Sequence, residues 1–295
     1  MANQSSALRT LKCSVSLGLF VSSRIRDFSL RLIGGKPKGS CVILYYHSVP
    51  SDGRGRFARQ LDTLLQLTKP ISLGGGFPLE AGVRYAGITF DDGFEDFVDV
   101  ALPELVKRTI PVTVFVLAGA LGKTFGPHGE GKRVMSARQV VDLPSHLVTI
   151  GSHTLTHPFL PSLSEREAQF EIAQSRTQIE CMLNRPVLLF SFPFGGFNER
   201  LVELCREAGY ERVFTTLPGF AFENPDEFVV GRVRVDPGDW PLEFRLKLAG
   251  AYHWLPWAFA LKRRLRSNPL TRWIWDHVVK GSTGRRSVIQ ESNSL

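Results

Sequence analysis

Two short motifs in the sequence combine residue types that bind divalent cations. Residues 89–93 are Thr-Phe-Asp-Asp-Gly, and residues 151–158 are Gly-Ser-His-Thr-Leu-Thr-His-Pro. Two adjacent carboxylates repel each other, so both stay ionised most easily beside a cation or strong hydrogen-bond donors. Two imidazoles four residues apart can bind one metal ion such as Zn²⁺. Together the motifs predict a site of one carboxylate and two histidines with open positions, the arrangement of a catalytic metal.

Each motif taken alone also has a purely structural interpretation. An Asp-Gly pair is common in surface turns, and two histidines in a loop can be satisfied by ordinary hydrogen bonds. Pro158 disfavours the α conformation at His157, so the two histidines are predicted in a loop that leaves a strand. The pair is not a helical HExxH motif, since Thr154 and Leu155 supply no acid between the histidines.

The stretches between these motifs alternate between strand-like and helix-like patterns. Apolar runs predict strands at 41–46, 86–90, 112–117, 147–151, 187–192, 212–216 and 228–235. Helical spacing falls between them at 57–67, at 164–183 with a capping box of Ser164 and Glu167, and at 199–208. This order predicts an α/β fold with a parallel sheet and crossover helices. About seven strands suit a barrel, but the periodicity does not decide whether the sheet closes.

The polar residues that could do chemistry follow the predicted strands. His47, Asp91, Asp92, His153 and the stretch 191–195 each lie at or just beyond the carboxyl end of a strand. In parallel α/β folds the functional site lies at this end. One face of the sheet is therefore expected to collect all of them.

These motifs, followed by Phe192-Pro193-Phe194-Gly195, resemble the signature of the polysaccharide deacetylases, carbohydrate esterase family four, over about residues 40–240. The resemblance implies a distorted (β/α) barrel of about seven parallel strands. It also implies a metal-dependent hydrolase that removes N-acetyl groups from amino sugars of a polysaccharide or lipid-linked glycan. The alternatives are a deformylase or deacetylase of a small lipid-linked sugar, and a catalytically degenerate scaffold that binds glycan.

The resemblance also assigns roles to the two motifs. Asp92, His153 and His157 would hold a divalent metal, with Zn²⁺ expected first and Co²⁺ or Ni²⁺ as alternatives. Asp91 would act as the catalytic base that accepts a proton from the attacking water.

The third motif would form the substrate loop. Pro193 and Gly195 would shape it, and a backbone N–H near Phe194 would stabilise the oxyanion. Phe192, Phe194 and Phe197 form either an apolar wall for the sugar or part of the core.

The general acid departs from the common family pattern, in which a histidine near the carboxyl end protonates the leaving amine. His253 lacks the usual flanking residues, so His47, after the first strand, is predicted as the general acid, as in circularly permuted relatives. A histidine that only caps a strand is the structural alternative.

A second departure concerns an arginine. Many members carry an arginine just before the third motif, where it pairs with the catalytic base, but this position is Ser191 here. Arg232 or Arg234 are candidates to replace it, although the sequence does not place them. The absent arginine favours the scaffold hypothesis, whereas the intact Asp-Asp and His-His motifs favour an enzyme.

Composition and charge limit which kinds of fold and partner are possible. The chain has 295 residues with 43% hydrophobic content, four cysteines without CxxC spacing, and no run of eighteen apolar residues. Its net charge of +8 is uneven, because residues 1–39 and 262–295 carry +6 each and the middle carries −4. A mildly acidic centre without nucleic-acid-binding motifs disfavours nucleic acid as a partner.

The organisation predicted from these patterns has three parts: a basic amphipathic segment at 1–39, a catalytic domain at 40–250, and a basic tail at 251–295 that contains Trp257, Trp273 and Trp275. Apolar residues at helical spacing between arginines in the first part suit peripheral contact with an anionic membrane. A helix packed on the domain, or a signal peptide around residues 13–21, are the alternatives. The expected location is the cytoplasm or the cytoplasmic membrane face rather than secretion.

Overall fold

The computed structural model describes residues 6–75, 78–126, 131–224 and 226–267, with side chains through Leu261. The chain divides into two compact units, Met1–His253 and Trp254–Leu295. No helix among the described residues is long and apolar enough to cross a membrane.

The first unit alternates strands and helices along the chain. Its helices are α1 (Ser6–Leu32), α2 (Arg54–Leu67), α3 (Leu102–Lys107), α4 (Ala137–Val141), α5 (Glu165–Leu183), α6 (Glu199–Glu207) and α7 (Pro241–Leu248). Its strands are β1 (Ser40–Tyr46), β2 (Lys69–Pro70), β3 (Arg84–Phe90), β4 (Val112–Val116), β5 (Thr124–Phe125), β6 (Lys132–Arg133), β7 (Val148–Ser152), β8 (Leu189–Ser191), β9 (Arg212–Phe214), β10 (Val229–Val230) and β11 (Val233–Arg234).

Nine of these strands form one parallel sheet in the order β10-β9-β8-β7-β4-β3-β1-β11, with β2 also paired to β3. Strands β5 and β6 form a separate antiparallel hairpin. The parallel α/β architecture expected from the sequence is confirmed. The helices between the strands supply the crossovers that parallel pairing requires.

The sheet is curled into a distorted barrel, because its two edge strands are neighbours in sequence. Strands β10 and β11 lie at opposite ends of the strand order, yet only Gly231 and Arg232 separate them along the chain. Two residues cannot span an open sheet of this width, so the edges must approach each other at a seam. The sequence predicted one strand over 228–235. That expectation was wrong, because the chain breaks at the seam and Arg232 turns into the interior.

Local sequence explains several boundaries that were predicted correctly. Ser164 caps α5 by accepting a hydrogen bond from the Glu167 N–H, and the Glu167 carboxylate accepts from the Ser164 N–H in return. Asn198 caps α6 through the N–H of Leu201. Helices α5 and α6 pack on the outside of the sheet, against the strands whose carboxyl ends form the site.

Helix α1 lies against α7. The Arg9 guanidinium donates to the Glu243 carboxylate at 2.7 Å and to the Gly238 carbonyl at 2.9 Å, and Cys13 and Ser16 are buried. The predicted amphipathic helix is therefore present, and one of its faces packs on the barrel.

The second unit is described only in part. Helix α8 (Leu255–Ser267) leaves Trp257 and Phe259 exposed. Trp273 and Trp275 of the predicted tail lie outside the described residues.

Candidate functional site

Parallel pairing brings the predicted site residues to one end of the barrel. Strand β1 pairs in register with β3 so that Tyr46 lies beside Phe90. His47 and Asp91 follow these two residues, and the Asp91 N–H donates to the Tyr46 carbonyl at 2.9 Å. His153 follows β7, two strands from β3 in the sheet. The expectation of one shared face therefore holds for these residues.

Asp92, His153 and His157 place their potential metal-binding atoms close together. The Asp92 Oδ1 atom lies 3.6 Å from His153 Nε2 and 3.5 Å from His157 Nε2. All three atoms lie within 4.8 Å of one another. Ligand atoms about 2.1 Å from a tetrahedral ion are separated by about 3.4 Å, so the spacing fits a small divalent cation.

Electrostatics at these three residues also favours a cation. Burial lowers the pKa of His153 to about 3 and that of His157 to about 4, so both imidazoles are neutral near pH 7. Burial, together with the charge of Asp91, raises the pKa of Asp92 to about 7. Among the described residues, nothing donates a hydrogen bond to the buried Oδ1 of Asp92. A cation would satisfy this oxygen and offset the repulsion between the two carboxylates.

The backbone around the histidines fixes their orientation. His153 Nδ1 donates to the Ser191 carbonyl at 2.7 Å, which leaves Nε2 to face Asp92. His157 and Asp92 both adopt left-handed backbone conformations, with φ of 63° and 68°. Such conformations are costly for residues other than glycine and cluster at functional sites.

Glu171 on α5 holds the loop that carries both histidines. One of its carboxylate oxygens accepts from the N–H groups of Leu155 and Thr156 at 2.9 and 3.0 Å. The other accepts from the Thr156 hydroxyl at 2.7 Å. Sequence reasoning missed this residue, because nothing in its local pattern distinguishes it from a solvated helical glutamate.

Asp91 is bound by a buried arginine. The Arg232 guanidinium donates to both Asp91 oxygens, at 2.7 and 2.8 Å, and neither residue is accessible to more than 3%. Burial raises the pKa of Asp91, but the charge and hydrogen bonds of Arg232, together with His153 and His47, outweigh burial and lower it to about 2. Asp91 is therefore an ionised, oriented carboxylate, in contrast to its neighbour Asp92.

The remaining Arg232 donors connect three strands. They reach the Thr89 hydroxyl at 2.9 Å, the Ser191 hydroxyl at 2.7 Å and the Thr215 carbonyl at 3.2 Å. Ser191, where the sequence lacks the family arginine, thus accepts a hydrogen bond from an arginine that comes from the seam. Of the two candidates, Arg232 contacts Asp91.

The two candidate general acids lie in different places. His47 packs edge-on against Tyr45 with ring centroids 5.6 Å apart. Burial lowers the pKa of His47, and the charge of Asp91 acts in the opposite direction. His253 is exposed, and its Nδ1 donates to the Gly250 carbonyl at 2.9 Å, beside Phe220. Phe220 lies next to Ala221, which pairs with Cys41 at the amino end of β1, opposite the Asp-His cluster.

The loop Pro193–Gly195 borders the cluster. Phe194 is 65% exposed, and its ring lies 4.5 Å from that of His157. Phe192 is fully buried and belongs to the core, and Phe197, which stacks on it, is half-buried. Gly195 has φ of 69°, and a Cβ atom there would collide with the side chain of Thr216. The loop therefore presents one aromatic side chain to solvent beside the Asp-His cluster.

Comparison with known proteins agrees with this geometry. Residues 80–213 match the family model for polysaccharide deacetylase. The Bacillus subtilis protein YxkH, provisionally named a polysaccharide deacetylase, is 31% identical over 151 residues, which cover 51% of this chain and 51% of that protein. Chitooligosaccharide deacetylase of Azorhizobium caulinodans is 24% identical over 139 residues, covering 47% of this chain and 61% of that protein. The alignments thus span between half and two thirds of these relatives.

A solved structure supports the same assignment over a larger part of the chain. The structure of IcaB from Ammonifex degensii superposes with a TM-score of 0.62 at 28% identity and covers 73% of this chain and 98% of that one. The barrel, the order of the motifs and the family model over residues 80–213 agree: the chain is similar to polysaccharide deacetylases.

Proposed function

We propose that this protein is a divalent-metal-dependent hydrolase that removes N-acetyl groups from amino sugars of a polysaccharide or lipid-linked glycan. The observation that carries the proposal is the Asp92, His153 and His157 cluster beside the ion-paired Asp91. The name of the Azorhizobium caulinodans relative supports N-acetylated sugar oligomers as the substrate class.

In this proposal Asp91 is the base. A divalent cation held by Asp92, His153 and His157, with Zn²⁺ preferred and Co²⁺ or Ni²⁺ as alternatives, would polarise the amide carbonyl and activate water. Asp91 is ionised near pH 7 because its pKa is low, so a carboxylate oxygen is free of protons and can accept one. Arg232 fixes the plane of this carboxylate through two hydrogen bonds.

The loop beside the cluster would bind the sugar. The N–H groups of Gly195 and Gly196 donate to the Phe192 and Pro193 carbonyls, so the proposed donor to the oxyanion is the N–H of Phe194. The exposed Phe194 ring offers an apolar surface to the sugar face. Phe159, 6.5 Å from it between ring centroids and also exposed, extends that surface.

The scaffold hypothesis loses its main support. It depended on the arginine missing at position 191, and Arg232 contacts Asp91 instead. A location in the cytoplasm or on the cytoplasmic membrane face, with the basic chain ends in contact with lipid, stays part of the proposal.

The proposed function is tested by acetate release. We expect purified protein to release acetate from N-acetylglucosamine oligomers, to lose this activity with a chelator, and to regain it with one equivalent of Zn²⁺, Co²⁺ or Ni²⁺. His157→Ala should lower both metal content and acetate release, because it removes one of three ligands. His146→Ala, in a loop away from the cluster, is the matched control. Full activity in the chelated protein would reject a metal-dependent mechanism.

The general acid is tested separately. His47→Ala should retain the metal and the fold but lose roughly 10²–10⁴ in rate, because no group then protonates the leaving nitrogen. His253→Ala should leave the rate unchanged, since His253 lies at the other end of the barrel. Metal analysis and acetate release measure the two effects. A loss of rate in His253→Ala with an unaffected His47→Ala would reverse the assignment.

A further inference from the structure

The outward face of α1 is apolar, although this helix is on the surface. Val21, Ile25, Phe28 and Leu32 follow the spacing of one helical stripe and are all exposed. A surface helix normally buries its apolar stripe and turns a charged face to water. Here the face with Cys13 and Ser16 packs on the barrel, and the stripe faces away from it. Among the described residues, nothing covers this stripe.

A basic cleft lies between α1 and the amino end of the sheet. It has a volume of about 580 Å³. Five basic side chains and only two acidic ones line it: Arg24, Arg26, Arg31, Lys38, Arg84, Asp27 and Glu223. The cleft is thus positively charged, and it lies on the flank of the apolar stripe, since Arg24 and Arg31 are within the same helical turns as Ile25 and Phe28.

Arg84, the first residue of β3, is the innermost of these cations. It is only partly exposed, and within the described residues its guanidinium has no hydrogen bond or ion pair. Burial and the nearby charge of Arg24 lower the pKa of Arg84, with Arg31 adding to this effect and Asp27 opposing it. Arg26 pairs with Asp27 and Arg24 lies over the Phe20 ring, but five cations still face only two carboxylates in the cleft. An anion between the cations would offset their mutual repulsion.

Helix α1 runs along the side of the barrel. Near its start Arg9 contacts Gly238 and Glu243, which follow β11 at the catalytic end. Near its end Arg24 and Arg31 face Arg84 at the opposite end. The 27 residues of α1 span about 40 Å, longer than any strand of the sheet. A membrane surface in contact with the stripe would therefore run parallel to the barrel axis. The catalytic end of the barrel would then lie beside the membrane and would not be covered by it.

We propose that α1 docks this protein on an anionic phospholipid surface, with the apolar stripe in the interface and a headgroup phosphate held in the cleft by Arg84, Lys38 and Arg24. Apolar residues flanked by cations are the composition that binds in the plane of a bilayer interface. Phosphate is one of the anions that arginine and lysine side chains bind through charged hydrogen bonds. The orientation leaves the catalytic end open to glycan beside the membrane.

Vesicle sedimentation of the full chain tests the docking surface. We expect the protein to sediment with vesicles of phosphatidylcholine and phosphatidylglycerol, weakly with phosphatidylcholine alone, and less at high salt. Phe28→Ser should weaken binding about tenfold, because it removes a side chain that would be buried. Phe170→Ser, on α5, is the matched control, since Phe170 is 61% exposed and Phe28 is 63% exposed.

Separate variants test the role of the basic cleft. Arg84→Gln should weaken binding to the anionic vesicles about fivefold, and Arg166→Gln, an exposed arginine on α5, should not. Lys38→Gln, at an exposed position, repeats the test if Arg84→Gln does not fold. Phe28, Lys38 and Arg84 lie away from the proposed catalytic site, so their variants should release acetate in solution as the wild type does. Failure of the docking proposal is therefore distinguishable from failure of the proposed function.

Several results would overturn the proposal. Equal binding to neutral and anionic vesicles would reject headgroup recognition, and an equal effect of Arg84→Gln and Arg166→Gln would reject the cleft. A dimer in light scattering that Phe28→Ser dissociates would assign the stripe to a second copy of the chain. Inorganic phosphate that binds in an Arg84-dependent manner, without vesicle binding, would make the ligand a free phosphate rather than a lipid.

Discussion

Replacing Arg232 with Met should destabilise the protein by about 3–5 kcal/mol and lower turnover, because it leaves the buried carboxylate of Asp91 without its partner. The guanidinium bridges Asp91, Thr89, Ser191 and the Thr215 carbonyl, and methionine satisfies none of these groups. Denaturant unfolding with a chelator present measures the loss of stability without a contribution from bound metal.

The effect should depend on pH in a defined direction. The pKa of Asp91 is lowered to about 2, so its ionisation stabilises the wild type above the unfolded-state pKa, and this contribution is lost only as the pH falls toward 2. Without Arg232 burial would raise the pKa of Asp91, and ionisation would then oppose folding as the pH rises. The stability difference between wild type and variant should therefore be larger near pH 7 than near pH 4.

Two further variants separate the effect of the Arg232–Asp91 ion pair from the effect of losing a buried arginine. Arg232→Lys keeps the charge but not the two parallel hydrogen bonds, so it should recover part of the stability and less of the turnover. Arg212→Met removes another buried arginine, which donates to the Leu73 and Glu227 carbonyls and not to Asp91. It should cost stability but leave the ionisation of Asp91, and the pH dependence that comes from it, as in the wild type. If Arg212→Met and Arg232→Met changed the pH dependence equally, pairing with Asp91 would not be the cause.

The adjacent aspartates should respond to the same substitution in different ways. Asp91→Asn should keep the metal but lose roughly 10²–10⁴ in rate, because an amide cannot accept the proton. Its NH₂ group would also face Arg232, at an expected cost of about 1–3 kcal/mol. Asp92→Asn should instead weaken metal binding, because it removes an anionic ligand whose Oδ1 lies 3.5–3.6 Å from both imidazoles.

Metal analysis, acetate release and a thermal melt separate these outcomes. Asp99→Asn, at an exposed position in the same segment, is the control for the substitution itself. The opposite pattern, with the metal lost in Asp91→Asn and retained in Asp92→Asn, would mean that the two roles are exchanged.

Local sequence determined much of this protein. The alternation of apolar runs with helical spacing predicted the parallel α/β fold, and the capping residues Ser164 and Asn198 located helix starts correctly, because caps depend on a few neighbouring residues. Strand ends placed Asp91, Asp92 and His153 on one face, since parallel strands share their carboxyl edge. The local sequence did not predict which of the two aspartates contacts which partner.

Only the tertiary structure decided how the two carboxylates differ. Asp91 and Asp92 are the same residue type in adjacent positions, yet the pKa of one is lowered to about 2 and that of the other raised to about 7. The difference arises because Arg232, 141 residues away, enters the interior where the two edges of the sheet meet. Glu171 likewise reaches the histidine loop only after α5 has packed on the barrel. These contacts form only when the sheet closes. Closure cannot be predicted from patterns of neighbouring residues, because it depends on residues far apart in the sequence.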